Sequence, residues 1–310
     1  MRRWWFRDRV IRFSVSDLRL SSEALTTLLE RPAADDAGLT FAGAGLDDRW
    51  RQLSELWTFR ELAFVFAERD LKVRYRQAVI GVAWAVLQPL ATMGVFLVLF
   101  QWLGRTPARA GHPYALVTYI GVVVWLMFAS TVRESTASLV GNRDLVTKVY
   151  FPRLLLPLAT LLCAGVDLSI SLVVVAPLMW WFGIAPGLTV LCLPLFLMLG
   201  ALVAVGVGIW LAALNAQYRD IGYIVPFFLQ LGMIAAPVYY ETTTMVPERW
   251  QWIWPLNPLV AVIEGCRWSL LSTTPPSLWM LVLSGVVTVC LLSSGWWYFC
   301  RAEQWIADRI

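Results

Sequence analysis

Apolar residues along this 310-residue chain come in long runs joined by short polar turns. A helix that crosses a bilayer needs roughly 20 consecutive apolar residues. Six runs reach that length almost free of charge: 79–103, 114–132, 154–182, 188–214, 221–240 and 277–300. The third contains one acidic residue, Asp167. A shorter apolar stretch, 250–263, is interrupted by Pro255 and Pro258, and such a segment is expected at the interface or folded back into the membrane. The pattern predicts an all-α membrane protein: six transmembrane helices, an N-terminal amphipathic interface helix and short re-entrant outer helices.

The segment 53–78 differs from the six runs. It carries Glu55, Arg60, Glu61, Glu68, Arg69, Asp70, Lys72, Arg74 and Arg76. Leu53, Trp57, Phe64, Leu71 and Tyr75 recur at helical spacing and form one apolar stripe, although 62–66 is apolar all round. This predicts an amphipathic helix on the cytoplasmic surface that feeds the first span. An ordinary soluble helix packed on a partner is the alternative.

Composition agrees with the pattern: 59% of residues are apolar and 15% charged, against about 25% charged in soluble domains. Mean hydropathy is +0.64. Basic residues set the orientation. With both ends in the cytoplasm, 21 of the 25 Lys and Arg lie on the inner side, and Arg105, Arg109, Arg249 and Arg267 lie outside. Without the long first segment the balance is still 7 to 4. Residues 1–52 show no apolar core of signal-peptide length and read as a cytoplasmic, partly disordered extension, with 301–310 as a cytoplasmic tail. The basic, aromatic start (Arg2, Arg3, Trp4, Trp5, Phe6) suits anionic lipid, and a loose tail is the alternative.

Several chemistries lack their residues. Neither lysine follows a glycine, so the chain has no phosphate-binding Gly-Lys-Ser/Thr loop of its own. The single histidine, His112, and five cysteines without a CxxC pair predict neither a metal site nor a disulfide. One intramembrane Asp is thin support for an ion-coupled carrier. No carboxylate cluster suggests a membrane glycosyltransferase. Of the 18 tryptophans, most sit near span ends, where interfacial belts account for them. The outer Trp250, Trp252 and Trp254 are candidates for stacking on sugar rings.

Four stretches carry a resemblance to a known family: RDLKVRYRQAVIGVAWAVLQPLATMGVFLVL (69–99), LVGNRDLVTKVYFPRLLLPL (139–158), LNAQYRDIGYIVPFFLQLGMIAAPVYY (214–240) and LNPLVAVIEGCR (256–267). In this order, the chain from Leu56 onward resembles the permease subunits of ABC-2 type exporters, in the branch that moves O-antigen, capsule and teichoic acid. The first fifty residues do not match. The resemblance implies a non-enzymatic translocation subunit in the cytoplasmic (inner) membrane. It implies a second copy of the chain and two ATP-binding cassette subunits, which hold the ATP and Mg and do the hydrolysis. The substrate implied is a lipid-linked polysaccharide, with no nucleic acid involved. An exporter of small lipids or drugs is the rival. Segment 140–152 matches the family's coupling helix: Asn142, Arg143, Asp144 and Lys148 for polar contacts with the ATPase, and Val149, Tyr150 and Phe151 for an apolar knob. Segment 247–268, with Trp250, Trp252, Trp254 and Asn257, matches the re-entrant outer gate. Arg69, Arg74 and Arg76 are candidates for the lipid diphosphate, because guanidinium pairs well with phosphate. Head-group or ATPase contact is the alternative. Asp167 is expected in a helix–helix contact.

Overall fold

The computed structural model describes residues 55–76, 81–104, 112–149 and 151–309. The expectations for 1–52 and for Tyr150 lie outside them. Every regular element among the described residues is helical. In chain order these are α1 (Arg60–Arg76), α2 (Ala83–Trp102), α3 (Tyr114–Gly141), α4 (Arg143–Lys148), α5 (Leu155–Val173), α6 (Val175–Trp181), a 3-10 turn (Leu188–Cys192), α7 (Leu193–Gln217), α8 (Ile221–Ala235), α9 (Thr242–Met245), α10 (Glu248–Gln251), a second 3-10 turn (Trp254–Leu256), α11 (Pro258–Leu271) and α12 (Leu278–Arg309).

Among the described residues, five helical stretches are long and apolar enough to cross a membrane: α2, α3, α5 with α6, the first 3-10 turn with α7, and α12 up to Glu303. The predicted span at 221–240 is a helix only as far as Ala235. Its 15 residues fall below the length of a full crossing. Proline at 237 explains the stop, because the residue before a proline is driven to extended backbone, and Ala236 sits at φ −85° and ψ 148°. The predicted span at 154–182 is interrupted at Val174. Pro177 has no N–H to offer the Val173 carbonyl, so the ladder breaks there.

α3 is the centre of the bundle. In its most apolar window 83% of residues are buried, against 6% for α2. α7 and α5 flank it, and α12 packs on α7. Lipid tails are as apolar as these side chains, so burial of hydrocarbon alone does not hold such helices together. Close approach and interhelical hydrogen bonds do. A Cβ on Gly208 of α7 would stand 2.8 Å from the Ser135 Cβ of α3, so the two helices meet where one has no side chain. Ser135 and Thr160 share a 2.7 Å hydroxyl contact between α3 and α5. Asn215 Nδ2 donates to the Thr136 carbonyl at 2.8 Å, and Tyr119 Oη to the Ser171 carbonyl at 3.0 Å.

α3 runs nine residues past the predicted end of its span at 132, through Arg133 and Glu134 to Gly141. Threonines in its inner half return their hydroxyl to the carbonyl four residues earlier, Thr131 to Met127 and Thr136 to Val132, and so stay satisfied inside the helix. α1 buries Ala63, Phe66 and Ala67 in the bundle. Of the expected stripe, Leu71 packs on that core and Tyr75 reaches Asp167, whereas Trp57 and Phe64 are exposed. Two alanines permit the close approach to α5, where Cys163 Sγ lies 3.4 Å from the Ala67 carbonyl.

α11 packs on α7 with no room to spare: a Cβ on Gly265 would stand 2.1 Å from the Phe196 ring. Gly265→Ala is expected to cost about 1–3 kcal/mol by overpacking, read as a lower midpoint of thermal unfolding in detergent. Gly94→Ala, whose added Cβ meets nothing within 4 Å, is expected to leave the midpoint unchanged.

Candidate functional site

At one end of the bundle, α1 is fastened to α3 and α5 by charge. Arg74 donates Nη1 to Asp167 Oδ2 at 2.6 Å and pairs through Nη2 with Glu134. The Tyr75 hydroxyl donates to the other Asp167 oxygen. The three charged side chains are between a quarter and a third exposed. Burial works against the charge on Arg74, yet the two carboxylates prevail and raise its pKa. Burial first, and then the bond to Asp167, push the Tyr75 phenol well up, so it remains a donor at physiological pH. Asp167 is thus a contact between elements, and its partners come from the interface helix.

Arg69 makes a second fastening. Its Nη2 donates to Asn142 Oδ1 at 2.8 Å and its Nε to Asp70 Oδ1 at 2.9 Å. Its guanidinium lies 5.5 Å from the centre of the Phe66 ring, which in turn packs on Phe151 at 5.6 Å. Arg76 is exposed, and among the described residues it has no ion pair. The three candidate arginines are therefore divided: Arg69 and Arg74 are engaged within the protein, and Arg76 is open.

The segment 140–152 contains a single short helix, α4. Asn142 precedes it and donates Nδ2 to the Ser138 carbonyl at 2.8 Å. Arg143, Asp144, Thr147 and Lys148 are exposed, with Asp144 and Lys148 3.5 Å apart. Val149 is 54% exposed, whereas Phe151 is 5% exposed and points into the bundle. Of the expected apolar knob, Val149 faces outward and Phe151 does not.

At the other end of the bundle, Asn257 caps α11 by accepting the Leu259 N–H at 3.1 Å on Oδ1. Trp250 and Trp252 are exposed, and Trp254 is partly buried. The Trp252 carbonyl accepts the Trp279 indole N–H at 3.2 Å, which ties this segment to α12. Sequence reasoning placed Arg267 among the outer basic residues, but it is 1% exposed and held inside the protein. It also passed over Glu134 and Glu264. Each had a signal: a carboxylate just past an apolar run, and a Glu three residues before an Arg in an otherwise apolar helix.

Two helices pack little against the rest. Pro89 is the buried residue of α2 and Val225 that of α8. α8 presents Tyr223, Phe227 and Phe228 outward. Phe96 of α2 stacks on Tyr239, just after α8, with ring centroids 4.0 Å apart.

A family model described as ABC-2 type transporter matches residues 61–271. The O-antigen export system permease protein RfbA of Klebsiella pneumoniae is 29% identical over 209 residues, covering 67% of this chain and 79% of the relative. The O-antigen export system permease protein RfbA of Myxococcus xanthus is 28% identical over 261 residues, covering 84% of this chain and 99% of the relative.

Loss of either carboxylate under Arg74 leaves a half-buried charge underpaired, so Asp167→Asn and Glu134→Gln are each expected to cost about 1.5–3 kcal/mol in detergent unfolding. Combined with Arg74→Gln, each is expected to be non-additive by about 0.5–3 kcal/mol. Arg76→Gln is expected to leave the unfolding midpoint unchanged.

Proposed function

Because the chain belongs to the ABC-2 type transporter family, we propose that it is the permease subunit of an ATP-driven exporter of lipid-linked, O-antigen-like polysaccharide across the cytoplasmic membrane. The observation that carries this reading is the similarity to O-antigen export permeases, which in one case covers 84% of this chain and 99% of the relative. Two copies would face each other through α2 and α8, the helices least covered by their own chain, and form the channel between them. The aromatic face of α8 supports this, since sugar rings stack on such rings and can slide from one to the next. In this reading α8 and the residues after it make the fifth of six crossings, and both termini lie in the cytoplasm. The chain carries no nucleotide loop, so ATP and Mg belong to two separate cassette subunits.

The outward face of α4 suits the docking of that ATPase. Arg143, Asp144 and Lys148 offer charges of both signs, and Val149 an apolar contact, on a helix fastened to α1 through Asn142 and Arg69. Closure of the cassettes on ATP would displace α4 together with α1 and the inner ends of α3 and α5. Arg76, open where Arg69 and Arg74 are engaged, takes the diphosphate of the lipid carrier as it enters from the inner leaflet. The exposed Trp250 and Trp252, with Trp254 and Asn257, sit on the exit side.

Val149→Asp with Lys148→Glu changes this outward face without touching the core. The expected result is loss of co-purification with the partner ATPase and loss of export, at an unchanged unfolding midpoint. Normal assembly and export would contradict the docking assignment. In the assembled complex, Arg76→Gln is expected to weaken stimulation of ATP hydrolysis by glycan-lipid, and undiminished stimulation would remove the diphosphate assignment.

A further inference from the structure

Arg267 lies in α11 and is 1% exposed. Its Nε donates to the Val117 carbonyl at 3.0 Å, Nη1 to the Tyr240 carbonyl at 2.9 Å and Nη2 to the Val238 carbonyl at 2.8 Å. Val117 belongs to the first turn of α3, and Val238 and Tyr240 to the bend that follows α8. That bend needs external partners, because backbone without helix or sheet is tolerated at membrane depth only where the protein satisfies it. Arg267 serves the carbonyls of residues 238 and 240, and the Tyr114 hydroxyl serves that of Tyr239 at 2.9 Å. Glu264, 3.5 Å from Nη1, adds a second arm by accepting the N–H and hydroxyl of Thr242, each at 3.0 Å.

The planar fork of a guanidinium has five N–H groups in fixed directions, so contacts at three points fix orientation as well as distance. Lysine, a point charge on a flexible stem, does not. Gly121 of α3 completes the fit: a Cβ there would stand 2.2 Å from the Val238 carbonyl oxygen and 2.8 Å from Arg267 Nη2.

The other end of α3 adjoins α4. The helix runs its 28 residues without a break, so it reaches about 42 Å at 1.5 Å per residue. We propose that Arg267 is the positioning residue that fixes the outer segment 242–271 to the far end of α3, so that movement entering at α4 is delivered to the exit. α11, the chain after α8 and the outer end of α3 then travel as one body, and α11 does not swing alone. This rests on the permease reading above and on its separate ATPase.

The test uses the chain in vesicles with its partner ATPase. Leu256, exposed on the outer segment, becomes the reporter as Leu256→Cys, with Cys192, Cys290 and Cys300 replaced by serine. The labelling rate by a membrane-impermeant maleimide is read without nucleotide and with ATP plus vanadate. In the parent, nucleotide is expected to change that rate on the order of 5-fold or more, the usual scale of coupling between distant sites. Arg267→Lys and Gly121→Ala disturb the same contact from opposite sides, and Gly121→Ala leaves the arginine in place. In both, with the ATPase still bound, the two rates are expected to coincide. A merely structural role would shift the unfolding midpoint but leave the nucleotide response intact, and a response equal to the parent's in both variants overturns the inference. So does a parent that shows no response while its ATPase turns over. A chain that binds no ATPase at all overturns the permease reading, and this inference with it.

Discussion

The bilayer offers no hydrogen-bond partner to a main chain, so each interruption of a helix must be satisfied from within the protein. This constraint organises the structure. Its interruptions fall at or beside prolines: Val174 three residues before Pro177, Ala236 before Pro237, and the second 3-10 turn around Pro255. The most demanding interruption lies between α8 and α9, where neither helix nor sheet serves the carbonyls. A buried arginine and a tyrosine hydroxyl do so instead.

The same reasoning accounts for charge near the inner surface. Arg74 stands against Glu134 and Asp167, from two different helices. Removing any one of the three leaves an underpaired, half-buried group, which is why the interface helix is a fixed part of the bundle. Arg69 and Asn142 extend that attachment to the turn before α4. The polar contacts of this membrane protein are thus concentrated at its two ends, and the unbroken α3 joins them.

Much of this was legible in the chain. The apolar runs located five of the long helices, and the charged segment before the first run located α1. The prolines in 250–263 marked the starts of the second 3-10 turn and of α11. Three features were not legible, each because it depends on tertiary partners. The stop of α8 at Ala235 is local, but its tolerance depends on Arg267, some thirty residues on. The extension of α3 through Arg133 and Glu134 depends on Arg74, which lies before the first span. The buried face of α1 centres on two alanines that permit close approach to α5, and a stripe drawn from large side chains meets that face only through Leu71 and Tyr75. Likewise, three arginines within one short segment gave no sign that Arg69 and Arg74 would be engaged and Arg76 left open.

The family membership and the similarity to O-antigen export permeases give this framework its use: a multi-pass membrane protein that we propose provides a passage and borrows its energy. The most direct measurement of that claim is transfer of lipid-linked polysaccharide across vesicles containing the chain, with and without the partner ATPase. The account predicts transfer that requires both proteins and ATP and stops when hydrolysis is blocked. Transfer by the chain alone, or driven by an ion gradient without nucleotide, would contradict it.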